Sequence, residues 1–332
     1  MGPHTFDQSE SSLAGSLPAT QLAASRILLK DGRLLAWSQY GATQGFPLFY
    51  LHEAGSSRLE AAFFDAEARR SGFRLIAVDR PGLGESDPHA LMTRASCADD
   101  LLQLADQLGL SEFGILSSGA GSAIALVSAA HSPERVKCVL GVSSQLALCN
   151  ARERVVCRFL RGILSTFLRC MLGLRLAFGN STPEQYLRRL CDSLTYADRR
   201  LLDNPDIRMK LVQSASEAVR HGVSGVARDT ALSLAPLNVS AASLPMPVHV
   251  WLGGVEHPAQ FSSVPSFLAS LPRGVLHRLG NHGRYFFWRY SEGVFTTATR
   301  ILKEQGPSDN CPPTKSVRQE PEMLCRAAAL AG

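Results

Sequence analysis

The chain has 332 residues, of which 45% are hydrophobic and 19% charged, ordinary proportions for one folded domain carrying an insertion. The formal net charge is only +5 and the basic residues form no long run, so no nucleic-acid partner is expected. No window offers the roughly 18 uncharged apolar residues of a membrane-spanning helix.

In chain order, residues 1–25 are polar and Ser-rich. They are expected to be a flexible arm, and they lack the basic-then-apolar order of a signal peptide. Gly2 is followed by Phe6 where a myristoylation signal needs Ser or Thr. Ile27 to Leu35 reads as a strand pair turned at Asp31-Gly32. Pro47 to His52 is a short apolar run ending in a loop, the pattern of a buried parallel strand. Ser57 to Ser71 has apolar residues at helical spacing, stopped by Gly72. Phe73 to Asp79 is another strand, and Ala98 to Leu108 a helix ended by Gly109. Then Phe113 to Ser118, an apolar run, stops at Gly119-Ala120-Gly121, and a helical pattern from Ala123 to Ala130 follows at once. Small residues there permit a sharp strand-to-helix turn with helix and strand in close approach. Val136 to Val142 is a further strand.

The alternation then breaks. Residues 146–236 read as successive helices. After Pro245 the rhythm resumes: Val248 to Leu252 a strand, Ser262 to Leu271 a helix, Val275 to Leu279 a strand, Tyr290 to Lys303 a closing helix. Alternating strands and helices imply an α/β fold with a mostly parallel sheet covered on both faces. Its core is expected over 26–145 and 237–303, with a helical cap over 146–236. Residues 304–332, rich in Gly, Pro, Ser, Asp and Asn, are expected to be a disordered tail.

Cysteines stand at 97, 138, 149, 157, 170, 191, 311 and 325. They show no C-x-x-C pair and no metal-ligand spacing. Buried thiols in a reducing, cytoplasmic setting are therefore expected, with no metal and no cofactor.

Six segments carry a resemblance. Ser117-Ser118-Gly119-Ala120-Gly121 has the small-residue form of the G-x-S-x-G nucleophile elbow of α/β-hydrolases. Asp79-Arg80-Pro81-Gly82-Leu83-Gly84-Glu85-Ser86-Asp87 resembles the D-R-P-G-x-G-x-S-D loop of that family. Tyr50 to Arg58 resembles its oxyanion-hole loop, with Arg58 read as a structural ion-pair partner. Trp251 to Glu256 resembles the segment of the triad acid, and Leu279-Gly280-Asn281-His282 that of the triad histidine. The stretch Ala218 to Asp229 looks like the end of a cap. The resemblance covers roughly 27–303 and implies an α/β-hydrolase fold of eight strands, mostly parallel, with helices on both faces and an inserted helical cap.

The departures fall where the chemistry falls. In the family's triad a serine attacks, a histidine takes its proton and an acid orients the histidine. Gly119 stands at the nucleophile position and has nothing to attack with. Ser118 is the neighbouring candidate. The oxyanion hole implied by the resemblance uses the N–H of Ala120 and one from the loop near Glu53, with His52 lining the pocket. Glu53 replaces a glycine there. A carboxylate beside a developing oxyanion costs several kcal/mol by order of magnitude, against about 3 kcal/mol contributed by one good donor.

Two functional readings follow. In the first the chain is a hydrolase-like enzyme on a small apolar acyl or carbonyl compound, with His282 as general base oriented by Glu256. In the alternative it is a catalytically inactive pseudoenzyme that binds a ligand or regulates. The cap stretch Val155 to Phe178, mostly apolar with Arg154, Arg158 and Arg161 on one side, reads as a helix pair over an apolar site mouth, or as a membrane-surface lid. A small apolar partner is implied by the first. The oligomeric state is left open.

Overall fold

The computed structural model describes residues 24–146, 194–254 and 263–306. Its centre is a single eight-stranded sheet. The strands are β1 (Ser25–Leu28), β2 (Leu34–Gly41), β3 (Phe46–Leu51), β4 (Phe73–Val78), β5 (Phe113–Ser118), β6 (Val136–Val142), β7 (Val248–Gly253) and β8 (Gly274–Leu279). Their spatial order is β1-β2-β4-β3-β5-β6-β7-β8. β2 pairs antiparallel with β1 and β4, and every other pairing is parallel. This is the mostly parallel sheet that the alternating pattern predicts.

The hairpin β1–β2 turns at Gly32, whose φ of +85° is left-handed, while the Asp31 carboxylate accepts from the Arg33 amide at 3.2 Å. β5 and β7 are buried along their whole length, as strands with both faces covered must be. The helices are α1 (Asp65–Arg70), α2 (Arg94–Gln107), α3 (Gly121–His131), α4 (Tyr196–Arg199), α5 (Pro205–Ala218), α6 (Ser224–Ser233), α7 (Val264–Ser270) and α8 (Glu292–Gln305). α2 opens with a capping box of Thr93 and Ser96. α5 opens with Pro after Asn204, whose side chain accepts from the amides of Asp206 and Ile207.

Strand order decides where a site can form. From β3 the sheet grows outward through β4, and from β5 it grows the other way through β6. The chain reverses its direction of travel between these two neighbours. The carboxyl ends of β3 and β5, in register at Leu51 and Ser117, therefore diverge into loops that leave a crevice between them.

Within the stretch 146–236, the described residues are 146 and 194–236, and they carry α4, α5 and α6. The rest of that segment, including Val155 to Phe178, lies outside the described residues, as do 1–23 and 307–332. Two fully enclosed arginines fasten α5 and α6 to the core. Arg58 Nη1 meets Asp79 Oδ2 at 2.6 Å and Glu217 Oε1 of α5 at 2.7 Å. Arg80 grips Asp229 of α6 through Nε at 2.7 Å and Nη2 at 2.6 Å, a two-point fork on one carboxylate. Arg58 is thus the ion-pair partner that the sequence suggests. Cys97 and Cys138 are buried free thiols, and burial pushes both up to about 12. Among the described residues no helix is long and apolar enough to cross a membrane.

Candidate functional site

β5 runs into Gly119, whose φ of +44° is left-handed, and α3 starts two residues later. Glycine is needed twice here. At Gly119 the backbone angle favours it. At Gly121 an added Cβ would stand 2.4 Å from the Leu51 carbonyl oxygen, so only glycine lets α3 begin this close to β3. The turn is tied down by Gly119 N–H to Val142 O at 3.0 Å and Gln145 N–H to Gly119 O at 3.0 Å.

The space that a side chain at Gly119 would enter is filled. A Cβ built there would lie 1.6 Å from Glu53 Oε2. The Glu53 carboxylate, nearly buried, reaches across from the loop after β3. Its Oε1 accepts from the Ala54 amide at 2.6 Å and from the Ala120 amide at 3.1 Å. Its Oε2 is paired with the Arg284 guanidinium. Ala120, expected as an oxyanion donor, therefore donates to a carboxylate of the chain itself.

Arg284 comes from the loop after β8, and that loop is held from several sides. Asp198 of α4 accepts from the amides of Arg284 at 3.2 Å and Tyr285 at 2.9 Å. Ser143 donates its hydroxyl to the Arg284 carbonyl. Gln145, with its amide oxygen turned toward the guanidinium, accepts from Arg284 Nη1 at 2.9 Å. A Cβ at Gly283 would fall 2.3 Å from Asp198 Oδ1, so glycine there admits the aspartate.

Beneath Glu53 lies a second acid. Glu60 is fully enclosed, and burial raises its carboxyl above the usual range. The Tyr50 hydroxyl stands 2.6 Å from Glu60 Oε1 and 3.0 Å from Ser118 Oγ. Ser118 donates to the same Glu60 oxygen, and the Glu53 amide reaches Glu60 Oε2 at 3.3 Å.

These contacts correct two sequence expectations. Ser118 does not stand as a nucleophile: it is fully buried, with its hydroxyl committed to Glu60. The reason is strand alternation, which turns Ser118 to the Tyr50 side of the sheet. Ser117 is no substitute. Its Oγ lies 3.1 Å from Ser122 Oγ, which lies 2.8 Å from Ser144 Oγ, and these hydroxyls border a cavity behind the turn with room for about one water. His52 does not line an open pocket but is completely enclosed. Its Nδ1 donates to the Glu53 carbonyl at 2.8 Å. Burial, reinforced by Arg80, holds the ring well below the usual histidine range and hence neutral.

His282 is half-buried, with its ring 4.8 Å from that of Tyr290. Glu256, its expected orienting acid, lies outside the described residues. Arg284, Glu60 and Tyr50 are the site residues that sequence reading missed. Arg284 is two positions past the histidine motif, but its partner is 231 residues away, and no spacing rule links them. Among the described residues no group of three or more His, Cys, Asp or Glu is placed to hold a metal ion.

The family model described as alpha/beta hydrolase fold matches residues 45–222. A proline iminopeptidase of Neisseria meningitidis is 30% identical over 36% of this chain and 38% of its own length. One from Arabidopsis thaliana is 26% identical over 41% of this chain and 36% of its own. The chain thus spans little more than a third of the length of these relatives. An acetyltransferase component of an acetoin-cleaving system from Pseudomonas putida is 27% identical over 57% of this chain and 47% of its own length. Among solved structures, a thermophilic esterase from Thermogutta terrifontis superposes with a TM-score of 0.64 at 19% identity, covering 85% of this chain and 98% of that one. An enol-lactonase from Burkholderia xenovorans gives 0.62 at 16%, covering 84% and 100%. With its eight-stranded sheet, its elbow turn at Gly119 and this family match over more than half its length, the chain belongs to the alpha/beta hydrolase fold family.

Proposed function

We propose that this protein is a hydrolase-fold binding or regulatory protein that does not hydrolyse. One observation carries the reading: the Glu53 carboxylate fills the space above Gly119 and takes the Ala120 amide. Serine-type hydrolysis needs an attacking oxygen at that place and free N–H donors beside it. Gly119 supplies no oxygen. The donor is already bonded to an anion, which forfeits the roughly 3 kcal/mol that a free donor gives the transition state. The anion would also repel a developing oxyanion.

The competing reading, a His282–Glu256 dyad acting as general base on a small apolar acyl or carbonyl compound, draws support from the histidine motif and from the proline iminopeptidases among the relatives. One pair of assays separates the two. Wild-type protein is treated with a fluorophosphonate serine probe and, separately, with p-nitrophenyl acetate and butyrate. The binding-protein reading expects neither covalent label nor turnover above buffer. A label on Ser117 or Ser118 would contradict it, as would turnover abolished by His282→Ala.

A further inference from the structure

Three donors from three separate elements converge on the Glu53 carboxylate: the Ala54 amide after β3, the Ala120 amide at the start of α3 and the Arg284 guanidinium after β8. Two backbone N–H groups and a guanidinium form a complete donor set for one flat, two-oxygen anion. None of the three depends on the Glu53 side chain for its position. The Ala120 amide is fixed by the bonds of the Gly119 turn. The Arg284 main chain is fixed by Asp198 and Ser143, and its guanidinium is held by Gln145. The main chain at Glu53 is fixed by its own carbonyl, which accepts from Arg80 Nη2 at 3.0 Å and His52 Nδ1 at 2.8 Å. Movement of the Glu53 side chain would leave these donors in place.

The surroundings also fit exchange. The Arg284 side chain is 21% exposed and that of Glu53 8%, so the pair is not sealed from solvent. Gly119 has no side chain to bar the way. Resting on the reading of this site as a binding site, we infer that Glu53 is a displaceable internal occupant, and that the site's external ligand presents a carboxylate to Ala54, Ala120 and Arg284. Glu53 sets the threshold that such a ligand must overcome.

The test is calorimetric titration with sodium octanoate, and with octanamide as its uncharged match, on wild type, Glu53→Ala and Arg284→Met. Near-UV circular dichroism confirms folding, and Glu53→Gln stands in if Glu53→Ala fails to fold. The inference expects measurable octanoate binding to wild type, at least tenfold tighter binding to the Glu53 variant, at least tenfold weaker octanamide binding, and loss in Arg284→Met. Binding to the Glu53 variant with none to wild type would make Glu53 a permanent plug and overturn the inference. So would equal binding of octanamide, indifference to Arg284→Met, or no octanoate binding to any variant. Failure here leaves the fluorophosphonate result standing. A labelled serine in the wild type overturns the non-hydrolytic reading whatever octanoate does.

Discussion

The molecule holds two sets of buried ion pairs within one loop's length of each other, and they have different jobs. Arg58 and Arg80 are sealed against Asp79 and Asp229 with essentially no exposure on either side. They tie α5 and α6 to the loops beside the sheet, and every member is satisfied at two or more points. Arg284 and Glu53 are less enclosed, and their carboxylate rests partly on backbone amides. The first set is structural: removing a partner strands a charge with nowhere to go. The second stands where chemistry would be done: it links the loops after β3 and β8 and also occupies two backbone donors.

The largest expected effect tests the first set. Arg80→Ala leaves Asp229 buried and uncompensated, and should lower stability by about 3–5 kcal/mol in urea denaturation. Adding Asp229→Ala should recover part of that loss, since contacting sites couple. A loss below about 1 kcal/mol for Arg80→Ala would erase the distinction between the two sets.

Next comes Gly119→Ser. Its Cβ would overlap Glu53 Oε2 and its backbone would sit at a positive φ, which together should cost about 1–3 kcal/mol. In a Glu53→Gly background the overlap disappears and the penalty should shrink. Equal penalties in both backgrounds would mean that Glu53 does not occupy that space.

Arg284→Ala should cost less than either, about 1–2 kcal/mol, because Glu53 keeps two amide donors. A loss matching that of Arg80→Ala would place both pairs in one class.

The smallest effect is read from pH. Burial raises the folded-state carboxyl of Glu60 above its ordinary 4.5. As pH climbs through that value the unfolded chain releases this proton first, so Glu60 lowers stability as pH rises. Glu60→Gln should therefore gain on wild type with increasing pH above 4.5. A constant difference between the two across that range would show that Glu60 is not a buried acid.

Most of the fold was legible in the sequence, and the reason is periodic. Val136 to Val142 is a run whose ends the structure reproduces, because a strand covered on both faces is apolar almost throughout, the half-buried Lys137 excepted. The turn at Gly119 was legible because only small residues permit it. The hydrolase motif around Asp79 was visible, and so was the structural role of Arg58. The contents of the site were only half legible. That Glu53 is unfavourable beside an oxyanion follows from its charge. That it takes the nucleophile's space does not, since it depends on how far a loop side chain reaches across β3 and β5. Arg284 escaped because a long-range pair leaves no local trace. The enclosure of His52 escaped because a motif position says nothing about which side chains close over it.

The central claim is that the Glu53 carboxylate sits on the Ala120 amide. Labelling with carbonyl-13C glycine and 15N alanine selects Gly–Ala peptide bonds, of which the sequence has two, Gly41–Ala42 and Gly119–Ala120. The Ala120 amide proton of wild type should lie downfield, as a charge-assisted hydrogen bond requires. In Glu53→Ala it should move upfield while Ala42 stays in place. An Ala120 resonance unchanged by Glu53→Ala would contradict the account, because the amide would then never have been bonded to that carboxylate.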